Sequence, residues 1–235
     1  PDKTDLIELP QGSDLFVLPD RLPVGIEPES GEPALLAENP YDGSKPCAVA
    51  AFMAPAHTAV LTAAYQTSAS APTLPLFAYT AVGWHDNRFW VAGFRSDPDI
   101  RQDADQFDQP TINRKTARML KKHPGNRLIQ HLGKCCLTYG CPAARNYFLE
   151  RWEAPLPTSP ACNASCVGCI SLQPSGCCPA TQDRIRFVPS PTEIAEIAVP
   201  HLQHAPRAIV SFGQGCEGEP LLQADTLAKA IRFIR

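Results

Sequence analysis

The chain has 235 residues and a formal net charge of −3, with 44% hydrophobic and 19% charged residues. It is long enough to bury a core without covalent staples. No global basic field draws it to nucleic acid or to an anionic membrane. No apolar run approaches the roughly 20 residues that span a bilayer. The first residues, PDKTDLIELPQG, are acidic and lack an apolar core, which predicts no signal peptide. Together these features predict a cytoplasmic protein with neither a membrane nor a nucleic-acid partner.

Residues 1–40 are rich in turn formers around short apolar pieces such as Leu15 to Leu18, and predict loops and edge strands. Two alternating runs between Ala78 and Phe94 meet at His85-Asp86-Asn87 and predict a hairpin. Its aromatics Trp84, Phe89 and Trp90 are expected in a core. A helix is expected from Thr111 to Lys122, stopped by His123-Pro124-Gly125, with a second from Leu128 to Gly133. The bases Arg114, Lys115, Arg118, Lys121 and Lys122 read as a solvated face of the first helix. Residues 1–148 are therefore expected to form an α+β N-terminal domain, with a different texture from residue 149 onward.

There, WEAPLPTSP is held extended by Pro155 and Pro157, as at a sheet edge. SPTE presents Ser190 as a cap, Pro191 at the first helical position and Glu193 reaching back. The helix it opens is expected to kink or break at Pro200, with His201 on its exposed face. Ala208 to Phe212 predicts a buried parallel strand, and a helix follows to Arg235. The order strand, helix, strand, helix predicts an α/β fold of two βα units. Two strands alone make a poor sheet, so the chain is expected to be the N-terminal portion of a longer protein.

Ten cysteines are many for this length. Two pairs are vicinal, Cys135–Cys136 and Cys177–Cys178, a strained arrangement for bonding each other. With no export signal, free thiols with a metal or reactive role are the expectation. Cys162, Cys166 and Cys169 stand as Cys-x3-Cys-x2-Cys in CNASCVGC. Three thiolates suit a 4Fe-4S cluster that leaves one iron without a protein ligand. Zinc remains open, because Cys166 and Cys169 form one knuckle that Cys177 or Cys178 would complete. Cys135, Cys136 and Cys141 could ligate an auxiliary cluster with Cys177 or Cys178 or present a thiol to substrate, and Cys216 could touch substrate, but these four and Cys47 are expected mainly to pack as small buried residues.

After the second strand, Gly213-x-Gly215-x-x-Gly218 matches a dinucleotide fingerprint. Glu217 and Glu219 contradict it, since a pyrophosphate wants bare amides and no anions. A carboxylate pair at the C-terminal end of a parallel strand instead predicts a cation such as an ammonium group.

The Cys162, Cys166, Cys169 loop after one strand, with Gly218-Glu219-Pro220 after the next, resembles the radical S-adenosylmethionine (radical SAM) enzymes over about residues 150–235. The resemblance implies the start of a partial (β/α)6 barrel, from 149 to 235. It implies that Cys162, Cys166 and Cys169 ligate the metal of a 4Fe-4S cluster, whose remaining iron is chelated by S-adenosylmethionine. Gly218, Glu219 and Pro220 would bind the amino group of that cofactor. The implied activity is reductive cleavage to a 5′-deoxyadenosyl radical that takes hydrogen from a substrate, with a ferredoxin or flavodoxin as electron donor. A fragment carrying only two units is expected not to turn over by itself. Two positions depart from the family: Gly168 replaces a common aromatic before the third cysteine, and Glu217 replaces the first glycine of Gly-Gly-Glu-Pro. The alternative reading is a zinc- or cluster-stabilised interaction module without catalysis.

Overall fold

The computed structural model describes residues 5–173 and 176–235. The chain forms two compact units, Pro1–Gln106 and Phe107–Arg235.

The first unit is built of antiparallel strands: β1 (Leu6–Glu8), β2 (Asp14–Leu18), β3 (Arg21–Ile26), β4 (Pro33–Leu35), β5 (Ala48–Phe52), β6 (His57–Ala59), β7 (Tyr65–Thr67), β8 (Val82–His85) and β9 (Arg88–Arg95). They make three small sheets: β1-β9-β6 with β8 also on β9, β2-β5, and β4-β3-β7. The hairpin expected near residue 86 is β8–β9, with His85 opposite Arg88. Asp86 and Asn87 turn it with φ of 50° and 58°, the left-handed pair a tight hairpin requires and these residue types tolerate. Its aromatics do not all face a core. Trp84 is 60% exposed and Phe89 37%, and they stack edge to face on each other with ring centroids 4.6 Å apart. Paired across the strands, they satisfy each other, while Val91 and Ala92 further along β9 are buried on its two faces.

The second unit opens with three helices: α1 (Gln109–Lys122), α2 (Arg127–Thr138) and α3 (Pro142–Phe148). Asp108 and Asn126 cap the first two by accepting from Thr111 N and Ile129 N. The bases of α1 lie outward, and Lys115 reaches Glu150 at 2.7 Å. β10 (Glu153–Pro155) and β11 (Ile209–Ser211) then pair in parallel, Ala154 opposite Val210. Between them runs α4 (Pro191–His204), and after them α5 (Ala224–Ile234). Helices α1–α3 belong with these elements, so the expected boundary at 148 falls inside the unit. The reason is burial: Ile112, Leu128, Leu132 and Phe148 share one apolar cluster with Leu156, Ile194 and Ile197.

α4 begins with a complete capping box, Ser190 Oγ accepting from Glu193 N and Glu193 accepting from Ser190 N. The helix continues through Pro200 without ending. His201 is buried rather than exposed, with Nε2 3.3 Å from the Trp152 carbonyl oxygen. Burial lowers its pKa against the opposing Trp152 hydrogen bond. β11 is less buried than an interior strand, Ile209 being 46% exposed. No described helix is long and apolar enough to cross a membrane.

Glu193 also joins two helices. Its Oε1 accepts from Arg127 N and Nε at 2.9 Å, and its Oε2 from Arg127 Nη2 at 2.7 Å. The Arg127 guanidinium, with the Ser190 and Arg127 amides, holds the Glu193 carboxyl at about 2 against burial, from an ordinary 4.5. A depressed folded-state pKa contributes stability above the ordinary value that is lost as pH falls through the folded one. Glu193→Gln is therefore expected to cost up to about 3 kcal/mol at neutral pH, the full linkage of that shift. It should also flatten the acid loss of stability between pH 4.5 and about 2. Urea unfolding of both proteins across that range measures both effects.

Candidate functional site

The two sequence motifs meet in the structure. Beyond β10 the chain stays buried and extended from Leu156 to Ser159, then opens into the Cys162 loop. Beyond β11 it turns through residues 213–219. Gly218 N donates to Ser159 O at 2.6 Å, and Glu219 N to Ala161 O at 2.9 Å. A Cβ on Gly218 would lie 1.9 Å from Ala161 O, 2.4 Å from Ala161 C and 3.0 Å from Cys162 N. The absence of a side chain at residue 218 is what lets the backbone carrying Cys162 lie against Gly218-Glu219-Pro220.

Glu217 fixes the same junction from within. Its carboxylate is 4% exposed and accepts four backbone hydrogen bonds. Oε2 takes Thr158 N at 2.6 Å and Ser159 N at 3.0 Å; Oε1 takes Gly213 N at 2.7 Å and Gln214 N at 2.8 Å. The charge expected to attract a cation is thus consumed by amides at the ends of both parallel strands. Glu219 is the carboxylate left at the surface of the site. Its Oε1 accepts from Leu221 N at 2.9 Å, capping the short 3-10 turn Pro220–Gln223.

Cys162 and Cys166 are exposed and Cys169 half-buried. The turn closes with Cys169 N donating to Cys166 O at 3.3 Å. Arg184 Nη2 stands 3.1 Å from Cys169 Sγ, and Arg184 Nε donates to Ser171 Oγ at 3.2 Å. Burial works to raise the Cys169 thiol, but the Ser171 and Leu172 amides, the Ser171 hydroxyl and Arg184 outweigh it and favour the thiolate. Ile170 anchors the far side: its carbonyl accepts from Thr181 N and Gln182 N at 3.1 Å, and its Cδ1 lies where a Cβ on Gly215 would fall, 2.6 Å away. Gly168 has open space around it, and Val167 beside it is 90% exposed. Cys177 and Cys178 lie near this loop's end with their sulfurs 3.5 Å apart.

A second group of thiols lies elsewhere. Cys135 on α2 and Cys216 in the 213–219 loop are 1% and 6% exposed. Their sulfurs and His131 Nε2 all lie within 4.8 Å of one another, the one such His/Cys/Asp/Glu grouping among the described residues. The Cys216 thiol beside Cys135 holds it down to about 5, burial opposing and His131 and Lys134 assisting. Cys216 is raised by Cys135, by burial and by the nearby Glu217. His131 is the member of this group that the sequence does not single out, although His131-x3-Cys135 places both on one helix face. Cys47, expected buried, is exposed.

No protein-family model, curated protein or solved structure matches the chain.

Proposed function

We propose that residues 149–235 are the opening βα units of a radical SAM enzyme's partial barrel, in which Cys162, Cys166 and Cys169 hold a 4Fe-4S cluster and Gly218-Glu219-Pro220 binds S-adenosylmethionine. The observation that carries this reading is the contact of Gly218 with the Ala161–Cys162 backbone. A loop that served only to knot a metal has no need of a glycine and a surface carboxylate brought against it from the neighbouring strand.

The donor set fits the group. Three sulfurs on one loop, two of them exposed, leave room for an iron without a protein ligand. The Ser171 and Leu172 amides, with the Ser171 hydroxyl and Arg184, favour the thiolate form that iron requires at Cys169. Glu219, with Glu217 already satisfied, is the anion available to an ammonium group. When bound, the cluster supplies an electron that cleaves S-adenosylmethionine, and the resulting radical takes hydrogen from a substrate. The chain's own contribution is to orient: the four amide bonds of Glu217 and the wedge at Gly218 keep the Cys loop and the Glu219 turn in fixed register. A reducing cytoplasm and a ferredoxin or flavodoxin donor go with this proposal.

Anaerobic reconstitution tests it, with iron and zinc counts and the EPR spectrum of the reduced protein with and without S-adenosylmethionine. One cluster's worth of iron, lost in Cys162→Ala and with a signal that S-adenosylmethionine shifts, is the expected result. Zinc in place of iron, or a cluster indifferent to S-adenosylmethionine, would instead identify a structural module without catalysis.

A further inference from the structure

We infer that His131, Cys135 and Cys216 form a second metal site, for a single thiophilic divalent cation of the zinc class, which ties the 213–219 loop to α2. A tetrahedral zinc ion with sulfur at about 2.3 Å and nitrogen at about 2.0–2.1 Å sets its ligands about 3.6–3.8 Å apart. His131 Nε2 and Cys135 Sγ are 3.5 Å apart, and both lie within 4.8 Å of Cys216 Sγ. That spacing fits one ion, not a cluster spread over several irons.

The setting fits as well. Two thiolates neutralise a divalent cation, so the complex can be buried without leaving net charge, and both sulfurs are nearly inaccessible. The imidazole is held edge to face against Phe187, ring centroids 6.3 Å apart. Cys141 is a further sulfur within electrostatic reach of both thiols, and its amide donates to the Cys135 carbonyl at 3.1 Å. The ligands come from two elements far apart in sequence, so the ion acts as a cross-link. Because Cys216 is next to Glu217, that cross-link positions the loop that also carries Gly218 and Glu219. None of the cysteines in the Cys162 loop takes part, and the site stands whether or not that loop holds iron.

The test uses the full chain with Cys162→Ser, Cys166→Ser and Cys169→Ser combined, reduced and titrated anaerobically with Co2+. One cobalt per chain is expected, with thiolate-to-cobalt charge-transfer bands and the intense visible bands of a tetrahedral ion. Adding Cys135→Ser or Cys216→Ser should weaken binding by more than the roughly 10–100-fold typical of losing a supporting contact. Adding His131→Ala should keep the charge-transfer bands but shift the visible ones. Circular dichroism identifies folded variants; if a cysteine variant does not fold, His131→Ala and chelator-induced loss of thermal stability in the triple-serine protein decide the matter instead. Absence of charge-transfer bands in the triple-serine protein would overturn the site, as would bands that survive loss of both Cys135 and Cys216. A Cys135–Cys216 disulfide that takes up no metal after reduction would overturn it too.

Discussion

Gly218→Ala should separate the two halves of the candidate site. The added methyl would lie 1.9 Å from the Ala161 carbonyl oxygen and 2.4 Å from its carbon. Both are backbone atoms, so no side-chain rotation relieves the overlap. Ala161 O also accepts from Glu219 N, and Ser159 O from Gly218 N, so moving either strand end breaks a bond the other needs. Overpacking of this kind costs about 1–3 kcal/mol. The larger consequence is expected in binding: the Cys162 loop moves away from Glu219, so a reconstituted cluster should lose its response to S-adenosylmethionine before it loses iron. EPR titration with S-adenosylmethionine, alongside iron counts and urea unfolding, reads the three effects separately. Unchanged S-adenosylmethionine affinity in a folded Gly218→Ala protein would mean the contact is structural and the proposed cofactor site lies elsewhere.

What the sequence made legible depended on how local each signal was. The Asp86-Asn87 turn, the Ser190–Glu193 capping box and the order of β10, α4, β11 and α5 rest on neighbours within a few residues, and the structure has all of them. The pairing of β10 with β11 is parallel, as a strand–helix–strand connection requires. Features set by distant partners did not declare themselves. His201 looks exposed from helical phase alone, yet the Trp152 carbonyl occupies that side. Trp84 and Phe89 look like core residues, yet cross-strand register gives each the other as its neighbour. The change of texture at residue 149 suggests a domain boundary, yet it marks only a passage from helix to extended chain, and one apolar cluster spans both sides. The His131 and Cys135 spacing is readable on one helix, but nothing local names Cys216 as their partner.

The same distinction explains why Glu217 carries a second large expected effect. In sequence it is an acid where the resembling family has glycine, and it reads as half of a cation-binding pair. In the structure its two oxygens receive four amides, two from each strand end, and the Thr158 and Ser159 amides are buried with the carboxylate, with almost no solvent in contact to replace it should it be lost. Glu217→Gln keeps the shape and removes the charge. One carboxylate oxygen becomes an NH2 group that can only donate, so it faces two amide donors and satisfies neither. Each orphaned buried amide costs about 1–3 kcal/mol, which puts the loss at about 2–6 kcal/mol. Glu217→Ala should cost no less, since it strands all four amides and leaves a void. Chemical denaturation of the metal-free chain measures this without reference to any cofactor. A loss well below about 2 kcal/mol would mean that water or a local shift rescues the amides, and that the Glu217 charge is not what holds the two strand ends together. A loss in the expected range assigns Glu217 to the scaffold and leaves Glu219 as the anion of the site.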